Sequence, residues 1–102
     1  MPAPSTSIGT PLAVEVQIRQ EKASALRRVG DKLEKLIGQM TQLQGVLPTL
    51  TGARREKKVA EYQQLWADAD YQRWCLIIQR EAMGLFDHAE VDLMYPIPPK
   101  VK

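Results

Sequence analysis

From Leu12 to Leu47 the chain carries a row of positions at alternating spacings of four and three: Leu12, Val16, Arg19, Ala23, Leu26, Gly30, Leu33, Ile37, Met40, Gln44 and Leu47. Most of these are apolar or small, and the spacing brings them onto one face of a single long helix, the seam by which it packs lengthwise against another helix. A helix start is expected at Thr10, whose hydroxyl can accept from a free amide, followed by Pro11, which loses no hydrogen bond in the first turn. Some 35 residues without an internal proline then give a rod of roughly 50 Å. A second apolar row, Val29, Leu36 and Leu43, runs one heptad apart beside the seam, whereas Gln20, Arg27, Glu34 and Thr41 make the opposite flank polar.

Gly45, Pro48 and Gly52 interrupt the pattern and predict a short connection, with Thr49 or Thr51 capping the next helix. A second helix is expected from Ala53 to Met83, closed by Gly84 in the left-handed conformation with Leu85 making the accompanying apolar contact. Asp87 and Glu90 have the spacing of a capping pair, which predicts a short third helix over His88 to Met94. Tyr95 to Lys102 contains three prolines and reads as an extended tail, either laid over its own core or offered to an aromatic groove elsewhere. Met1 to Gly9, rich in proline, serine and threonine, reads as a flexible N-terminal tail. The expected division is therefore a tail over 1–9, a helical hairpin domain over 10–94 and a proline-rich tail over 95–102.

Two long helices joined by a short loop must run antiparallel. With the turn centred near Thr49, Met40 would lie near Val59, Ile37 near Tyr62, Leu33 near Trp66 and Gly30 near Ala69, where the small Gly30 would admit Trp66 or Trp74. A hairpin buries one side of each helix, and the extra row Val29, Leu36 and Leu43 calls for a second neighbour. The fold class expected is thus all-α: an antiparallel hairpin of two long helices plus a short C-terminal helix, two copies of which pair through Val29, Leu36 and Leu43 into a four-helix bundle.

The end of the hairpin away from the loop is apolar on more than one face. Val14 and Ile18 lie off the seam, and Trp74, Cys75, Leu76, Ile77 and Ile78 surround the second helix completely. The first expectation is that the chain's own C-terminal residues Leu85, Phe86, Val91, Leu93 and Met94 cover this end. A dimer mate or a different protein are the other candidates, and their docking surface would be Val14, Ile18, Trp74, Ile78 and Phe86.

Composition adds limits. Charged residues at 25% and hydrophobic ones at 44% are ordinary for a folded domain of 102 residues, and a net charge of +2 implies no polyanion partner by itself. Clustering matters more: Arg54, Arg55, Lys57 and Lys58 crowd the start of the second helix, where the helix dipole disfavours cations, and an anion such as a nucleic-acid phosphate could compensate. Arg27, Arg28, Lys32 and Lys35 form a second basic strip, but Asp31 and Glu34 are interleaved with it. A single cysteine, Cys75, allows no internal disulfide, and the first nine residues lack the basic and apolar regions of a secretory signal. The longest apolar run, Trp74 to Ile78, is far below the roughly 20 residues of a membrane span. A cytoplasmic protein is expected.

Catalytic chemistry finds little to stand on. His88 with Asp92 one turn later supplies two ligands, too few for a metal site, while Asp68 and Asp70 are two apart on a helix and do not face each other. No phosphate-binding glycine loop occurs, so no catalytic residue, metal or cofactor is expected. The residues point to a non-enzymatic interaction or scaffold protein acting through apolar helix faces, with polyanion binding at the basic hairpin tip as the alternative.

Overall fold

The computed structural model describes the backbone of residues 3–101 and the side chains of residues 13–101. Helix α1 spans Ala3–Val46, a single 3-10 turn covers Leu47–Thr49, α2 spans Gly52–Glu81 and α3 spans Ala89–Met94, with no strand among the described residues. The first helix begins at Ala3 and not at Thr10, so residues 3–9 continue its backbone. Pro4 falls in its first turn, where a missing amide hydrogen forfeits no intrahelical bond. No helix of the described residues is long and apolar enough to cross a membrane.

The predicted seam holds α1 against α2 over the inner part of the rod. Leu33 and Met40 are fully buried with Leu47 close behind, and they meet Tyr62, Ala69 and Leu76 from α2. Each such side chain removed from water contributes about 1.5–3 kcal/mol, which far exceeds what helix propensity alone offers over the same turns. Towards its N-terminus the seam is bare: Val16, Arg19 and Ala23 are exposed. The cause is length, because α2 ends at Glu81 and Lys22 already reaches the carbonyl of Ala82, at 3.5 Å.

The register differs from the one centred on Thr49. Gln44 Nε2 donates to Tyr62 Oη at 3.4 Å, so Tyr62 lies two turns further along α1 than Ile37, where it was expected. The connection, residues 47–51, is centred where expected, but its first three residues are helical. Leu47–Thr49 prolongs the rod as a 3-10 turn, Thr49 Oγ1 donates back to Val46 O at 2.6 Å, and Leu50 N bonds Leu47 O at 3.2 Å. Thr51 occupies the cap position of α2 without a side-chain cap bond, so neither threonine caps the helix.

At the far end α2 closes as predicted. Gly84 has φ +82°, and the bonds from Leu85 N to Arg80 O and from Gly84 N to Glu81 O, each 2.9 Å, are those of a Schellman cap. The expected capping pair is split. Asp87 Oδ1 accepts from Ala89 N at 3.1 Å, but Glu90 turns to α2 and accepts from Arg80 Nη2 at 2.6 Å. Asp92 takes a two-pronged bond from Arg73, at 2.7 and 3.1 Å, so α3 is fastened to α2 by two ion pairs and by Val91, which is fully buried.

Beyond α3 the chain lies back along the hairpin as a strap. Proline carbonyls accept hydrogen bonds but proline nitrogens cannot donate, so α2 must supply the donors. Tyr62 Oη reaches Pro99 O at 2.7 Å, Trp66 Nε1 reaches Pro98 O at 3.1 Å, and Gln63 Nε2 reaches Val101 O at 3.3 Å. The Lys100 ammonium sits 4.3 Å from the centre of the Trp66 ring. Gly30 does admit an aromatic ring, but it is Tyr95 and neither tryptophan: a Cβ there would collide with Tyr95 Oη and lie 3.0 Å from Cζ. The molecule measures 79 × 21 × 15 Å, and its radius of gyration of 20.4 Å is well above the roughly 13 Å of a compact domain of this size.

Two tests follow from the strap and its anchors. Tyr62→Phe keeps the packing and deletes the bond to Pro99, and is expected to lower the urea-unfolding free energy by about 1 kcal/mol. The bond from Arg73 holds the Asp92 carboxyl below its ordinary 3.8, so this pair stabilises the fold above that value and loses its contribution as pH falls through the lower folded value. Both groups are partly solvated, so the contribution is expected to stay below about 1 kcal/mol. Unfolding followed against pH should show that acid-range loss in the wild type and not in Asp92→Asn.

Candidate interaction surface

Helix α2 carries two stripes. One, through Tyr62, Ala69, Leu76 and Arg80, faces α1 and is buried. The other, Ala67, Tyr71, Trp74 and Ile78, advances by four, three and four residues, and at 3.6 residues per turn it lies on the side away from α1. Tyr71 is 59%, Trp74 58% and Ile78 47% exposed. The rings of Tyr71 and Trp74 stack with centroids 6.2 Å apart and planes 30° apart, which makes one flat aromatic surface. Half-buried Cys75 lies one turn after Tyr71, and a hydrogen bond between their side chains, with repulsion between their charged forms, pushes the Tyr71 phenol above its usual 10.0.

The chain's own C-terminal segment covers this end only in part: Leu76 and Ile77 are buried in the cluster that holds Val91, and Trp74 and Ile78 are not. Val91 alone among the five expected residues is buried, while Leu85, Phe86, Leu93 and Met94 stay exposed, Phe86 at 67%. The geometry of the Schellman cap and the two ion pairs explains why. They bring α3 down beside α2 with Val91 inward, and the strap then continues to Tyr62 and Trp66, leaving the outward stripe uncovered.

Val14 and Ile18, on the part of α1 beyond α2, are 48% and 44% exposed, so all five residues of the expected partner surface lie open. The row expected to bring two copies together is placed differently along its length. Val29 and Leu43 are buried in the chain's own core and Leu36 is partly buried against it. Leu36 borders a groove closed on the other side by Asp68, Tyr71 and Gln72, with Lys32 and Lys35 along its rim. The groove continues past Leu43 to Val46 and Leu65.

At the tip, Arg54, Arg55 and Lys57 are exposed, and Lys58 pairs with Glu61 at 3.1 Å. His88 and Asp92 do not act as a pair. Asp92 is held by Arg73, and His88 Nε2 lies 3.8 Å from Glu81, too far for a hydrogen bond. No three His, Cys, Asp or Glu side chains among the described residues are grouped to hold a metal ion.

The sequence pattern missed Tyr71 as part of the outward surface, although its spacing from Ala67 and Trp74 was visible. It also missed the donor role of Tyr62, Gln63 and Trp66, which depends on where the strap runs. Set against known protein families, characterised proteins and solved structures, the chain matches none.

Proposed function

We propose that the protein is a non-enzymatic interaction scaffold that binds protein partners through the apolar helix faces at the open end of the hairpin. The observation that carries this reading is the outward stripe of α2. Tyr71, Trp74 and Ile78 form a stacked, solvent-facing apolar surface on a helix whose opposite side is already buried. Tyrosine and tryptophan bury a large area for few rotatable bonds, so they dominate the binding energy of protein interfaces. Phe86 and Leu85, just after the helix cap, add to the apolar area at the same end.

A photo-crosslinking side chain in place of Trp74, in the cell that makes the protein, is expected to give discrete protein adducts, and the same group in place of Arg55 none. Absence of adducts at position 74 would contradict the reading. Replacing Arg54, Arg55, Lys57 and Lys58 together with neutral residues is expected to leave those adducts unchanged. A polyanion-binding protein would behave differently, losing salt-sensitive retention on heparin with that replacement and keeping it with Trp74→Ala.

A further inference from the structure

We infer that one occupant of these apolar faces is a second copy of the chain, docked antiparallel so that the free end of α1 in each copy fills the groove of the other. The inference rests on the reading of the protein as an interaction scaffold, and uses the flank of α1 and its groove, which meets the outward stripe of α2 only at Tyr71. It starts from the flank of α1. Val14, Ile18, Val29, Leu36 and Leu43 fall on one side of the helix at spacings of four, eleven, seven and seven residues. Because α2 stops at Glu81, this flank has two unlike halves. The half with Val14 and Ile18 is a bare apolar ridge, and the half with Leu36 is one wall of an open groove against Asp68, Tyr71 and Gln72.

A ridge and a groove on one line of one rod are self-complementary under a two-fold axis perpendicular to it, the symmetry of an isologous dimer. Setting Ile18 beside the second copy's Leu36 brings Val14 along the groove towards its loop end. The same pairing carries Glu21, on the ridge side, past the second copy's Lys32 and Lys35 on the groove rim. Among the described residues none of these three is in an ion pair of its own chain. The opposite faces of the rod do not offer this match, since the strap already fills the groove on the Gly30 and Trp66 side.

The surface area fits the same occupant. The chain exposes 7410 Å², whereas a compact monomer of 11.5 kDa exposes about 5800 Å². The surplus, about 1600 Å² per chain, is that of a rod which buries one side of each helix, and a standard-size interface would take about half of it from each partner. A small partner peptide in the groove would leave the ridge of α1 exposed; a second copy covers both.

Sedimentation equilibrium of the full chain over a range of concentrations tests this directly. The wild type is expected at twice the 11.5 kDa chain mass. Ile18→Glu places a carboxylate in the interface twice, and is expected to raise the dimer dissociation constant at least about tenfold. Ile18 is exposed in the single chain, so its replacement removes no contact of the chain's own core, and protection of the amides around Leu33 and Met40 should not change. Glu21→Lys should weaken the dimer, and adding Lys32→Glu and Lys35→Glu should restore it.

A wild type that stays monomeric, or a dimer indifferent to Ile18→Glu, would overturn the inference. A dimer dissociated by Trp74→Glu and not by Ile18→Glu would overturn it too, and would assign self-association to the outward stripe of α2. These failures are separable from failure of the scaffold reading. A monomer that still gives Trp74 adducts sinks the dimer alone, and a monomer without adducts sinks both.

Discussion

Two helices touch along a line, and a line of contact cannot enclose a core. Everything else in this molecule follows from that constraint. Leu33, Met40, Tyr62 and Val91 are fully buried, but each needs cover from a third direction besides the two long helices. The chain supplies it with α3 and the strap that follows, residues 89–101. Val91 presses α3 onto α2, Tyr95 drops into the space over Gly30, and the strap lies across Tyr62 and Trp66. Prolines suit this role because they restrict the strap before it docks, and less chain entropy is then lost on docking. Its carbonyls take hydrogen bonds from three α2 side chains in succession, Tyr62, Gln63 and Trp66.

One third wall closes one groove. On the other side of the hairpin Leu36, Leu65 and Tyr71 border a groove that no segment of the described chain fills, and over residues 13–21 the first helix has no neighbour among the described residues. The result is a long, thin molecule whose accessible surface is well above that of a compact protein of its mass. Bare apolar faces of this kind on a chain of ordinary charge are the feature from which the scaffold reading is drawn, and their distribution separates two roles. On the proposed reading the flank of α1 takes a second copy, while Trp74 and Ile78 lie away from that contact and remain exposed.

Much of the architecture was legible in the residue order. The four-and-three spacing through Leu26, Leu33 and Met40 marked the buried face of α1 and Gly84 marked the end of α2, whereas the exposure of Val14, Ile18, Trp74, Ile78 and Phe86 runs against the first expectation, that the C-terminal residues cover them. The facing of Tyr62 and Gln44 was not legible, nor was the continuation of the rod over Leu47–Thr49 as a 3-10 turn, which Pro48 did not reveal. The path of the strap was also hidden. Arg73 and Arg80 fix it by choosing Asp92 and Glu90 as partners, and such long-range pairing leaves no local signature. Periodicity likewise could not divide the row of Val29, Leu36 and Leu43 from Val14 and Ile18, since the division depends on where α2 ends.

On the proposed reading the part of α1 over residues 13–21, exposed in the single chain, gains a neighbour by association. Amide hydrogen exchange across residues 13–24, followed as protein concentration is raised, tests this, because an unsupported helix segment opens with little cost and a packed one does not. Exchange is expected to be fast in dilute solution and to slow as concentration rises, while amides around Leu33 and Met40 remain protected throughout. Exchange across 13–24 that is the same at every concentration, whether fast or slow, would contradict it.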